Sequence, residues 1–375
     1  MTESPTLHFI PGQHYECTSC GKCCKGAWNI TVDQHAYDHI SQSKTFAKKK
    51  SDGYIPIVLS DDKRASVGRT SGGECVFLDK EQLCEVHAEI GEPQKPLACQ
   101  IYPHILTDTP EGFFVSLSFA CPAVVENLGK NNAEYHDSLA TMLKNHGDAV
   151  PRQFPVPQQV ELTEHHTIEW KDYLQLETHL INGFQVEAAA TSVISLVEQM
   201  LWALSHNQMP ALLEHGFQQN VMPSSSSEQL RDMFSAHCIT IVELEEKPEQ
   251  REKLFSELIS PDGAQSERFA CPLPSFTGNS IVEASDHEVL RAYFRNLILG
   301  KRLLGENLLN GLLKLAVGLT LFTYYVKAFR DSGRETTALE EAFEIVEGDV
   351  VTHSRGLEVL LKELPKALLE ALGLV

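Results

Sequence analysis

The chain has 375 residues, 42% of them hydrophobic and 22% charged, with a formal net charge of −20. That length allows two domains or one large one, and leaves room for a core that needs no disulfide staples. An acidic surface repels phosphate backbones, which argues against nucleic-acid binding and for a basic or lysine-bearing partner.

The N-terminal stretch "MTESPTLHFIPGQHYEC" lacks a basic n-region and an apolar h-region, so no signal peptide is expected and the protein is read as cytoplasmic. In that reducing compartment clustered cysteines are metal ligands or redox groups more often than structural disulfides. Four of them, Cys17, Cys20, Cys23 and Cys24, fall within "CTSCGKCCKG" at 17–26. Two-residue gaps let successive thiolates converge on one metal or cluster. Gly21 and Gly26 permit the positive φ that such turns use, and Lys22 and Lys25 favour thiolate over thiol. The neighbours Cys23 and Cys24 constrain the site. In an extended segment their side chains point to opposite sides, so they are poorly placed to share one tetrahedral ion. Either they serve two sites, or one is a ligand and the other packs or reacts. A vicinal disulfide between them would be strained.

Short strands are expected at "AWNITV" (27–32), "YIPIVL" (54–59) and "GFFVSLSFA" (112–120), and "KTFAKKK" (44–50) reads as a solvated loop. Cys75, Cys84, Cys99 and Cys121 follow with gaps of 8, 14 and 21 residues. Eight cysteines suffice for two four-ligand sites, or for one cluster with spare thiols. Zinc takes four thiolates, or three with a histidine, and iron–sulfur clusters also take four cysteines. A C-x2-C-x2-C run with the remote pair Cys121-Pro122 is similar to bacterial ferredoxin ligation, which favours a 4Fe-4S cluster over zinc. The radical S-adenosylmethionine spacing C-x3-C-x2-C is absent because position 27 is alanine, and so is the glycine-rich loop of ordinary methyltransferase folds. His87 and His104, near Cys84 and Cys99, read as exposed or core histidines rather than ligands.

"PRQFPVPQQ" at 151–159 reads as a linker. It separates a cysteine-rich metal-binding domain at 1–150 from an α-helical domain at 160–375, giving an α+β, mostly α, fold class. Helices are expected over 186–207, with Pro210 beyond its end, over 223–234, and after an S-x-x-E capping box at Ser285 and Glu288. "LAVGLTLFTYYV" at 315–326 is shorter than the roughly 20 residues of a membrane span, so it reads as a buried core helix. "TTALEEAFEIV" and "LEVLLKELPKALLEALG" complete the tail, with Pro365 as a kink or break. Cys238 and Cys271 read as packed small apolar residues.

The cysteine region resembles the zinc- or iron-chelating cysteine-cluster family, the CxxCxxCC proteins. "CTSCGKCCKGAWNITV", "GGECVFLDKEQLCEVH", "LACQIYPH" and "SLSFACPA" carry the resemblance, over about residues 15–125. "CVFLDKEQLCEVHAEIGE" followed by "CQIYP" and then "CP" is also similar to the flagellin lysine-N-methylase branch. The chain departs from that branch where His104 replaces an expected Arg, and where "KGAW" carries an extra residue. The resemblance implies a metal centre. For the methylase branch it implies S-adenosylmethionine and a protein lysine substrate such as flagellin. Three readings stand: a metal-binding protein whose centre, iron–sulfur or zinc, is held by Cys17, Cys20, Cys23, Cys24, Cys75, Cys84, Cys99 and Cys121; a protein lysine N-methyltransferase; and a non-catalytic assembly module.

Overall fold

The structure is a computed structural model that describes residues 5–26, 28–60, 64–245, 247–276, 282–352 and 358–372. The fold is α+β and mostly α. The chain divides into two compact units, one of residues 1–106 and 111–153, the other of residues 107–110 and 154–375.

In the first unit the elements run β1 (Leu7–Phe9), β2 (His14–Tyr15), α1 (Lys22–Lys25), α2 (Gln34–Ile40), α3 (Lys44–Ser51), β3 (Ile57–Leu59), β4 (Ala65–Val67), α4 (Glu85–Ile90), α5 (Leu97–Ile101), β5 (His104–Thr109), β6 (Gly112–Leu117), α6 (Pro122–Val125), β7 (Lys130–Asn131) and α7 (His136–His146). β1 lies parallel to β6 in the order β1-β6-β5, while β2-β7 and β3-β4 are antiparallel pairs. Two of the expected strands form within their stretches, as β3 and β6. The third does not: Ala27 lies outside the described residues, and of 28–32 only Thr31 makes an isolated bridge, to Ser66.

The lysine-rich run at 44–50 is a helix, α3, and not a loop. Ser43 caps it by accepting from Phe46 N at 3.0 Å, and Glu89 accepts from Lys44 N and Thr45 N at 2.7 Å each. Lys49 reaches Glu85 on α4 at 2.5 Å. The caps satisfy the orphan N–H groups of the first turn, so the polar run becomes one face of a docked helix.

In the second unit a β-hairpin, β8 (Gln159–Thr163) with β9 (His166–Glu169), leads into helices α8 (Trp170–Gly183), α9 (Ala189–Ser205), α10 (Met209–His215), α11 (Ser225–Glu243) and α12 (Arg251–Leu258). A short pair, β10 (Ala264–Ser266) with β11 (Cys271–Leu273), precedes α13 (His287–Leu299), α14 (Leu308–Asp331), α15 (Ala338–Ile345) and α16 (Glu358–Ala371). α14 is the core helix. It is apolar nearly all round and buried along its length from Leu308 to Phe329, as a helix without a polar face must be. Val186–Ser205, which is α9 with the turn before it, and α14 are long and apolar enough to cross a membrane by length and composition, and 83% of the α14 window is buried inside the protein.

Two expected signals have other roles. Among the described residues no side chain caps α13. Its chain enters through a 3-10 turn at Ala284–Asp286, where Ser285 Oγ donates to Asp286 and Arg330 grips both Asp286 oxygens at 2.8 Å. Pro365 lies inside α16, which continues through it. Cys238 and Cys271 are fully buried, and burial pushes the Cys238 thiol up to about 12.

Candidate metal centre

The tight turn of "CTSCGKCCKG" starts at Gly21, whose φ of +70° lies in the left-handed region and whose absent Cβ leaves room for Gln82 at 3.0 Å. Gly26 differs from expectation. Its φ is −61°, and glycine is needed there because a Cβ would meet the Trp28 ring at 2.6 Å. Cys23 and Cys24 lie in the one-turn helix α1, not in extended chain. Helical neighbours are about 100° apart, so the two thiols still diverge, but less than strand neighbours would.

The carbonyls of this pair are pinned from two sides. The Trp28 indole N–H donates to Cys23 O at 2.9 Å. Cys24 O accepts from Cys75 N at 2.7 Å and from Arg69 Nη1 at 3.1 Å, and Arg69 also reaches the carbonyls of Trp28 and Gly73. Arg69 carries no sequence signal as a site residue, because its partners are main-chain carbonyls contributed by separate loops.

Seven of the eight cysteines, Cys17, Cys20, Cys23, Cys24, Cys84, Cys99 and Cys121, line one cavity of about 1130 Å³. Cys75 is buried outside its lining. Cys17 and Cys20 are exposed, Cys121 is buried, and Cys23, Cys24, Cys84 and Cys99 are intermediate; all eight are free thiols. Tyr15, Tyr135 and Lys95 share the cavity wall.

Three sulfurs lie in a row, with Cys24 within hydrogen-bond reach of Cys23 on one side and of Cys75 on the other. The hydrogen bond with Cys24, together with burial, raises the Cys23 thiol. The bond with Cys23 lowers Cys24, but the bond with Cys75, burial and the nearby sulfurs outweigh it, and Cys24 is pushed up to about 12. At the end of the row, the bond with Cys24, helped by Phe77 N–H, holds Cys75 below the usual thiol range against its burial. Burial pushes Cys99 up to about 12 while Lys95 pulls down. The same burial effect takes Cys121 to about 12, opposed by the Val124 and Ala123 N–H groups on its sulfur. Lys95 is a cation acting on these thiols, pulling down Cys99 and Cys23, and it carries no signal in the sequence. Cys84 Sγ accepts from His87 N at 3.5 Å as the N-cap of α4.

Crowded, buried thiols are costly to ionise together without a cation, and a thiophilic metal removes that cost by binding the thiolates. The donor set is sulfur, with N–H donors aimed at Cys75, Cys84 and Cys121, which is the chemistry of zinc–thiolate and iron–sulfur sites. Among the described residues no group of three or more His, Cys, Asp or Glu side chains stands in metal-holding geometry.

Both nearby histidines line the cavity as well. His87 is exposed on α4. His104 is buried, with Nδ1 at 3.0 Å from Ile101 O and Nε2 at 2.9 Å from Asn132 Oδ1.

Residues 16–123 match the CxxCxxCC family, described as "Putative zinc- or iron-chelating domain". The chain is 28% identical over 121 residues to Flagellar biosynthetic protein FliU of Salmonella muenchen, covering 31% of this chain and 71% of that protein. It is 26% identical over 153 residues to a Lysine-N-methylase of Salmonella choleraesuis (strain SC-B67), covering 39% of this chain and 38% of that protein. A Lysine-N-methylase of Salmonella typhimurium is 26% identical over 141 residues, covering 37% and 35%. The matched stretch thus spans well under half the length of the two lysine-N-methylases. No solved structure matches the chain.

Proposed function

We propose that the cysteine region of this protein holds zinc or iron through thiolates, with Cys17, Cys20, Cys23, Cys24, Cys75, Cys84, Cys99 and Cys121 as the ligand pool. One observation carries the reading: seven of these thiols, from stretches as far apart as Cys17 and Cys121, line a single cavity. The match of residues 16–123 to a chelating domain supports it. The C-x2-C-x2-C run with the remote Cys121-Pro122 favours iron–sulfur over zinc. Such a centre supplies folding free energy and, if iron, an electron-transfer or Lewis-acid group. The protein's part is to keep the sulfurs together, to donate N–H groups to them and to limit water.

Metal analysis of protein purified without oxygen, with its visible spectrum, tests this. A brown protein with iron and acid-labile sulfide identifies the cluster form, and a colourless one with stoichiometric zinc identifies the zinc form. Protein that retains neither metal after reconstitution with both overturns the reading.

The likeness to proteins named Lysine-N-methylase supports a second reading. In it the whole chain moves the methyl of S-adenosylmethionine onto a protein lysine. The sulfonium becomes a thioether as the methyl leaves, and the ε-amine gives up a proton to solvent. The net charge of −20 suits a lysine-bearing partner. Calorimetry with S-adenosylmethionine, followed by peptide mass mapping of flagellin after incubation, tests it. Absence of both heat and a methyl-sized mass gain ends it.

A further inference from the structure

We propose that the eight cysteines form two four-thiol centres, divided between the neighbours Cys23 and Cys24. Cys24, Cys75, Cys84 and Cys99 make an inner centre packed on an apolar cluster. Cys17, Cys20, Cys23 and Cys121 make an outer centre open to the cavity. The proposal rests on the metal-chelating reading and deepens it by assigning each thiol.

Packing separates the two sets. One apolar cluster, built around Ile30, Val32, Val76, Phe77 and Val86, includes Cys75 among its buried members and has Cys24, Cys84 and Cys99 packed against it, whereas the other four cysteines are absent from it. The same four sulfurs are within electrostatic reach of one another in every pairing. Each is fixed by a different piece of backbone. Cys24 is tied to Cys75 N and Arg69, Cys75 is bridged to Arg69, Cys84 is bridged to Leu78, and Cys99 rides on α5.

The outer set gathers around Cys121. Its sulfur is within electrostatic reach of Cys20 and Cys23, and the Tyr15 hydroxyl, which hydrogen-bonds Cys17, feels Cys121 as well. All four outer cysteines line the cavity, as do Cys24, Cys84 and Cys99 of the inner set, but only the outer set has exposed members, Cys17 and Cys20. Cys23 also approaches Cys24 and Cys99. A four-ligand centre has no fifth place, and the inner set is complete without it.

The turn explains how neighbours are split. The Cys23 carbonyl is held by Trp28, while the Cys24 carbonyl is held by Arg69 and Cys75. With the backbone so fixed, the thiols have only χ1 to adjust, and one staggered step moves a sulfur by about 3 Å. The inner centre rests on the apolar cluster that buries Cys75, and the outer one includes the two exposed thiols, Cys17 and Cys20.

Two measurements test the division. In the first, anaerobically loaded wild type is compared with Cys75→Ser and Cys121→Ser for metal per chain. Each variant is expected to keep about half of the wild-type metal, and the double variant to keep none. Complete loss in the Cys121→Ser protein, with wild type loaded, overturns the division while leaving the metal reading intact. Wild type without metal overturns both. Because the Cys75→Ser protein is liable to unfold, the second measurement uses wild type alone. Graded chelation is followed by iodoacetamide labelling, with sites read by mass spectrometry. Cys17, Cys20, Cys23 and Cys121 are expected to label as a group before Cys24, Cys75, Cys84 and Cys99. Simultaneous labelling of Cys23 and Cys24 overturns the proposal.

Discussion

His104 shows how one side chain sets a pH dependence close to the cysteine cavity. Burial drives its pKa down to about 4, and Lys130 pushes the same way, while the oxygens of Ile101 and Asn132 oppose them. Tyr15 and Tyr135 also pack on its ring. Because the folded pKa lies below the unfolded value of 6.5, the unfolded chain binds more protons between about pH 6.5 and 4. The contribution to stability is complete above pH 6.5 and falls as pH drops towards 4, by roughly 3 kcal/mol for this shift. Urea unfolding of wild type and of His104→Gln from pH 7 to 4 checks it. The stability of the variant is expected to fall less steeply across that window, and parallel slopes would remove His104 as the cause. Arg69 belongs to the same scale. It joins the carbonyls of Cys24, Trp28 and Gly73, and no local pattern in the sequence announces it.

At the scale of elements, the helices of the cysteine unit are short and are held by side chains from elsewhere. Asp33 is the clearest case. One carboxylate oxygen caps α2 by accepting from Ala36 N at 3.0 Å, and the other accepts from Leu97 N at 2.9 Å, fixing the start of α5 that carries Cys99. Asp33→Asn is expected to keep much of the α2 cap while weakening the Leu97 anchor; Asp33→Ala loses both, at a cost of about 1–2 kcal/mol. Metal release to a chelator is expected to be faster in Asp33→Ala than in Asp33→Asn, and identical release rates would show that α5 needs no such anchor. These dependencies decide what was legible in the sequence. The α14 helix and the packed roles of Cys238 and Cys271 follow from apolar patterning that needs no partner. The helix at "KTFAKKK" was hidden because its capping carboxylate, Glu89, lies over 40 residues away. The α1 turn was read as extended because four residues carry no periodicity. The cysteines themselves stood out by spacing, but their neighbours in space could not be read from it.

At the scale of the molecule the two units draw their order from different sources. The unit of residues 107–110 and 154–375 has a long, buried apolar helix, α14, of 24 residues, with aromatic contacts among Phe269, Tyr325 and Phe329. The other unit has, among the described residues, helices of between 4 and 11 residues and small apolar clusters, and helices that short do not hold without tertiary support. Thiolate-bound metal is a source of that support, since binding free energy there is folding free energy. Stripping the metal is therefore expected to act unevenly. In anaerobic hydrogen exchange with and without a strong chelator, amides of α2, α4 and α5 are expected to lose protection by a factor of about 100, equivalent to about 3 kcal/mol. Amides of α9 and α14 are expected to keep theirs, and heat unfolding to separate into an early chelator-sensitive step and a later insensitive one. An equal loss across both sets of helices would mean that the two units fold as one. Unchanged exchange in α2, α4 and α5 after verified metal removal would mean that the apolar clusters alone hold the cysteine unit.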